Sequence, residues 1–117
     1  MSDLILYHNP RCSKSRSALE WLQGQGLEPT VVRYLDTPLD KAALSDLLRR
    51  LGLGARELLR TGEEAYKALK LADPSLSEEA LIDAMVREPR LIERPILVRG
   101  ERAAIGRPLE NLKELLS

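Results

Sequence analysis

The spacing of apolar positions changes several times along this chain, and each change marks an element. Leu4 to Tyr7 is an unbroken apolar run followed by turn formers, the signature of a short buried strand. After His8-Asn9-Pro10, residues Ala18, Leu19 and Leu22 recur beside Trp21 at helical spacing, and Gly24 and Gly26 offer the positive φ that stops a helix. Val31-Val32-Arg33-Tyr34-Leu35 is rich in β-branched and aromatic residues and predicts a second strand. Strand, helix and strand within about thirty residues make a βαβ unit, whose strands run parallel.

A helical stretch follows. Asp40 or Thr37 can cap a helix in which Leu44, Leu47, Leu48 and Leu51 share one face, with Arg49 and Arg50 at its negative end and Gly52 closing it. Ala55 to Arg60 and Glu63 to Leu69 predict two short helices. Ser77 caps a longer one, with Glu78 and Glu79 in its first turn, and Pro89 ends it. The strand signal then returns in Pro95-Ile96-Leu97-Val98, turns at Arg99-Gly100-Glu101 and pairs back through Ala103-Ala104-Ile105. Gly106-Arg107-Pro108 breaks the hairpin, and Leu109, Leu112, Leu115 and Leu116 line a last helix. The order β-α-β, helices, β-β-α predicts an α/β fold: a four-stranded mixed sheet with helices packed on it. The expected organisation is a single domain over 1–117, with a core of 1–39 and 90–117 and an all-helical insertion at 40–89.

Composition narrows the partners. Lys plus Arg and Asp plus Glu number 18 each, so no global field recruits nucleic acid or a membrane surface. One cysteine excludes an internal disulfide, and no apolar run is long enough to span a bilayer, which together predict a cytoplasmic protein. One cysteine and one histidine cannot close a zinc shell, so no metal and no bound cofactor are expected.

The chemistry gathers at the first turn. Cys12 falls where a helix begins, and unpaired N–H groups and the helix dipole there favour an anion, so a thiolate is expected. A lone cysteine is more often a small buried hydrophobe, but Arg11, Ser13, Lys14 and Ser15 around it argue against a core position. His8, the only histidine, can hold that thiolate or simply close the strand, and these two roles weigh equally. Ser15 stands where a C-x-x-C pair has its second cysteine; its hydroxyl can bond the sulfur but cannot resolve a disulfide. Position 18 is alanine, so the C-x5-R loop of phosphotyrosine-phosphatase-like enzymes is absent.

The segment His8-Asn9-Pro10-Arg11-Cys12-Ser13-Lys14-Ser15-Arg16 resembles the active-site segment H-N-P-x-C-x-x-S-R of the glutaredoxin-dependent arsenate reductases. The likeness continues in Tyr34-Leu35-Asp36-Thr37-Pro38, Leu58-Leu59-Arg60, Leu91 to Ile96 and Gly106-Arg107-Pro108, so it spans nearly the whole chain. It implies a thioredoxin-like fold with a helical insertion, Cys12 as nucleophile, Arg60, Arg94 and Arg107 as oxyanion ligands, and Pro95 as the cis-proline. It also implies arsenate as substrate, glutathione as co-substrate and glutaredoxin as partner. Spacing alone leaves each arginine at the surface, where arginine is mostly found. The resemblance lifts only those three; Arg16, one turn beyond Cys12, is the nearest of the rest. Two other classes share parts of this pattern. An Spx-type adaptor of RNA polymerase carries a C-x-x-C switch, which Ser15 breaks. A monothiol glutaredoxin-like carrier bears C-G-F-S, where this chain has Cys12-Ser13-Lys14-Ser15.

Overall fold

The computed structural model describes residues 4–117, which separate into two compact units, residues 4–37 with 94–117 and residues 38–93. The first unit holds the sheet. Strands β1 (Leu4–Tyr7), β2 (Thr30–Val32), β3 (Ile96–Arg99) and β4 (Arg102–Ile105) lie in the order β2-β1-β3-β4. β1 pairs parallel with β2 and antiparallel with β3, and β3 pairs antiparallel with β4. Helix α1 (Ser13–Gly24) makes the crossover that a parallel β1–β2 pair requires. Leu6, Ala18, Leu22, Leu97 and Leu112 are fully buried together, so one aliphatic core joins the sheet, α1 and the C-terminal helix.

The sheet is the expected four-stranded mixed one, with one shortening. Strand β2 ends at Val32, whereas the β-rich run to Leu35 predicted a longer strand. The Arg33 carbonyl accepts from both Asp36 N–H and Thr37 N–H, so the chain turns there, and Tyr34 is buried from within that turn. Tyrosine's preference for burial imitated a preference for strand.

The second unit is helical. It carries α2 (Lys41–Leu51), α3 (Ala55–Leu58), α4 (Glu64–Ala68) and α5 (Glu78–Arg87), followed by a 3-10 turn at Pro89–Leu91. Asp40, rather than Thr37, caps α2 by accepting from Ala43 N–H, and Gly52 ends it at φ 69°. Helix α3 stops at Leu58, two residues before the predicted end, because Leu59 turns extended and bridges antiparallel to Ile92. The final element of the first unit, α6 (Glu110–Leu116), buries Leu112 and Leu115. Among the described residues no helix is long and apolar enough to cross a membrane.

Candidate active site

The turn between β1 and α1 is held by its own polar groups. Cys12 N–H donates to the Asn9 carbonyl at 3.0 Å, and Arg11 N–H donates to Asn9 Oδ1 at 3.0 Å. Ser15 Oγ accepts from Asn9 N–H at 3.0 Å and lies 2.6 Å from His8 Nδ1, with all three residues buried. Arg16 reaches back to donate to the Pro10 carbonyl at 2.9 Å. Burial, then the charges of Arg33 and Arg16, hold the His8 imidazole below its ordinary pKa, so it is neutral near pH 7. His8 and Ser15 therefore brace the loop. Asn9 joins them with both its backbone and its amide, a role that sequence reasoning missed; its Asn-Pro turn signal is the clue that was available.

This bracing presents Cys12 as the residue that caps α1. Its backbone is extended, φ −95° and ψ 122°, and the helix starts at the next residue. Burial pushes the thiol pKa up. Hydrogen bonds from Ser15 N–H, the Arg94 side chain and Lys14 N–H, together with the Arg94 charge, outweigh that, and the net shift is downward. Ser15 thus serves the sulfur through its backbone N–H, while its hydroxyl is engaged by His8 and Asn9. The Arg107 guanidinium adds a hydrogen bond, with Nη2 at 3.2 Å from Cys12 Sγ.

Both arginines arrive on the hairpin. Arg94 precedes β3 and Arg107 follows β4, and Arg107 Nε donates to the Arg94 carbonyl at 2.7 Å, tying the two together. The Arg94–Pro95 bond is cis, as the resemblance implied, and Arg107–Pro108 is cis as well. Gly106 N–H donates to the Pro95 carbonyl at 2.8 Å. A Cβ on Gly106 would stand 2.8 Å from Pro95 Cγ and 3.2 Å from Leu112 Cδ1, so only glycine permits this approach. Asn111 completes the support by donating to the carbonyls of Ile105 and Arg107.

Arg60 belongs to the helical unit. Its guanidinium pairs with Glu63 at 3.2 Å and Glu93 at 3.4 Å, and its N–H donates to the Leu91 carbonyl. Of the residues singled out from sequence, Cys12, Arg94, Arg107, His8, Ser15 and Pro95 all lie in the sheet unit. There a half-buried sulfur meets two guanidinium groups and two helix N–H groups. That arrangement can stabilise a thiolate and can bind an anion beside it. Among the described residues no three His, Cys, Asp or Glu side chains group to hold a metal ion.

Comparison with known proteins places this architecture. The sequence profile of the ArsC family matches residues 7–115. The arsenate reductase of Neisseria meningitidis serogroup B is 46% identical over 117 residues, covering 99% of this chain and 100% of its own. An uncharacterized protein of Escherichia coli K12, YfgD, is 59% identical over 112 residues, covering 95% of this chain and 94% of its own. The solved structure of an arsenate reductase from Vibrio cholerae superposes with a TM-score of 0.92 at 46% identity, over 95% of each chain. Its thioredoxin-like fold is the fold seen here. The chain belongs to the ArsC family.

Proposed function

We propose that this protein reduces arsenate to arsenite, with Cys12 as the nucleophile and glutathione and glutaredoxin as the external reductants. The observation that carries the reading is the Cys12 sulfur at the start of α1, where Arg107 and Arg94 donate to it. The names of relatives at 46% identity support arsenate as the substrate. A tetrahedral oxyanion and a thiolate repel unless cations lie between them, and arginine supplies such cations with directed hydrogen bonds at any relevant pH.

The Cys12 thiolate attacks arsenic(V), forms an S–As bond and displaces an oxygen that leaves as water after protonation. Arg94 and Arg107 neutralise the oxyanion as charge redistributes, and the resemblance adds Arg60 as a third anion ligand. Glutathione then attacks the adduct. An S–S bond forms as the S–As pair passes to arsenic, which falls to the trivalent state and leaves as arsenite. Cys12 remains in a mixed disulfide with glutathione. The chain has no second cysteine to resolve it, so glutaredoxin reduces the mixed disulfide and returns the thiolate. A catalyst that needs its only thiol reduced suits the cytoplasm.

Intact-protein mass spectrometry after exposure to arsenate, and then to arsenate with glutathione, tests this order of events. The expected products are an arsenic adduct on Cys12, then a glutathione adduct on the same residue. Glutathione on Cys12 in equal amount without arsenate, with no arsenic adduct under any condition, would replace the reductase with a simple thiol carrier.

A further inference from the structure

Arg107 reaches the Cys12 sulfur from a connection between elements. It lies in Gly106-Arg107-Pro108-Leu109, between the end of β4 at Ile105 and the start of α6 at Glu110. A guanidinium kept 3.2 Å from a sulfur needs its backbone held as well as its tip. The tip is held by the Arg94 carbonyl, which accepts from Arg107 Nε. Ahead of it, Gly106 N–H is held by the Pro95 carbonyl. The carbonyls on either side of Gly106, those of Ile105 and Arg107, both accept from one atom, Asn111 Nδ2, at 3.0 and 3.3 Å. Two acceptors facing one group call for two N–H donors, which the asparagine amide has; a serine or threonine hydroxyl has one and an aspartate none. The element that carries this amide is itself fixed, because Leu112 and Leu115 of α6 sit in the core with Leu6 and Leu97. Helix formation does not explain the residue. Asparagine favours the cap and is weak within a helix, yet the cap position of α6 is Leu109 and Asn111 lies in the first turn.

We infer that Asn111 is a positioning residue for Arg107, tying the Ile105 and Arg107 carbonyls to α6 so that the guanidinium stays on the Cys12 sulfur. The inference deepens the reading of Cys12 as the nucleophile and rests on it. Without the amide, the two carbonyls turn to water and the segment before Pro108 gains freedom. Arg107 then spends less time on the sulfur, so less thiolate forms at a given pH. The same looseness reaches any oxyanion that Arg107 holds. Neither effect comes from a weaker α6, because alanine in place of asparagine is the better helix former.

The test is the rate of Cys12 alkylation by iodoacetamide against pH, read by intact mass without arsenic, so it stands or falls apart from the arsenate reading. The reagent is neutral, so the profile follows the thiolate and no ligand charge enters. Asn111→Ala should raise the midpoint by about 0.5, roughly a threefold loss of thiolate at a pH below it, from partial loss of one charge-assisted hydrogen bond. Asn111→Ser keeps one donor and should fall between the parent and the alanine variant. Arg107→Ala should raise the midpoint further. In the Arg107→Ala background Asn111→Ala should then add nothing, because no guanidinium is left to aim. A merely structural asparagine would move the urea midpoint and leave the titration in place. An unchanged Cys12 midpoint in Asn111→Ala, or the same shift with and without Arg107, overturns the inference. Should the alanine variant not fold, Asn111→Ser carries the same cycle with the same two contrary outcomes. If the shift depends on Arg107 while the parent takes up no arsenic, the positioning role stands and only the arsenate reading fails.

Discussion

Helix α5 begins with Ser77, whose Oγ accepts from Ala80 N–H, and continues with two glutamates facing the dipole. Helix α1 begins with Cys12, whose thiol pKa the nearby N–H groups of Ser15 and Lys14 help to lower, and continues with cations. Only the α5 start has a side-chain cap for its orphan N–H groups, and the two starts use the dipole in opposite ways. In α5 the carboxylates relax the field and stabilise the fold. In α1 the field is left unopposed and reinforced by Arg94 and Arg107, so it acts on the one ionisable atom placed there. Stability is given up locally, and a reactive anion is obtained. Departures from local rules are expected to cluster at functional sites, which is a further reason to take this helix start as the candidate site.

Exchanging the caps should separate the two roles most sharply. Cys12→Ser places a favoured capping residue at α1, so thermal stability measured below the thiol midpoint should hold or rise while arsenite release with glutathione and glutaredoxin is lost. Retained release would remove Cys12 as nucleophile. Next in size are the arginines. Arg94→Lys or Arg107→Ala should lower arsenate turnover roughly 100- to 1,000-fold, about 2.7–4 kcal/mol in the barrier, while iodoacetamide still labels Cys12. Arg60→Ala in the same assay tests the third ligand. Turnover within about twofold of the parent, about 0.4 kcal/mol, in all three variants would leave the oxyanion site without support.

Smaller effects probe the stability side. Ser77→Ala should destabilise the protein by about 1 kcal/mol in urea unfolding and leave turnover unchanged, because that cap serves only the helix. Lys14→Glu should do the reverse of a damaging mutation in the folding assay. It should add about 0.3–1 kcal/mol through the dipole while raising the Cys12 alkylation midpoint. A variant that gains neither stability nor a higher midpoint would contradict the opposition drawn between α1 and α5.

Much of this was legible in the sequence because the signals were local. The apolar run of β1, the glycine stops after α1 and α2, and the Ser77 cap are each decided within a few residues. Cys12 could be placed at a helix start from the same signals. Strand β2 was overrun because a buried tyrosine in a turn looks like a strand residue. The engagement of Ser15 with His8 and Asn9, and the tie between Arg107 and the Arg94 carbonyl, depend on how distant segments come together. Spacing carries no record of that. Gly106 was read as a strand breaker, yet its packing against Pro95 is what lets the two arginine-bearing ends of the hairpin approach.

The most direct test of the central claim is the titration of Cys12. Alkylation rate against pH reports the thiolate fraction, and the midpoint should fall below the free-thiol value of about 8.5. A thiol whose pKa is lower in the folded than in the unfolded chain adds stability that is fully present above the unfolded value. That stability is lost as pH falls through the folded midpoint, and Cys12→Ser should remove this part of the pH dependence. Arg107→Ala should raise the midpoint and Ser77→Ala should leave it in place. A parent midpoint at or above the free-thiol value would mean that the helix start and its arginines do not activate the sulfur, and the account built on Cys12 would fail.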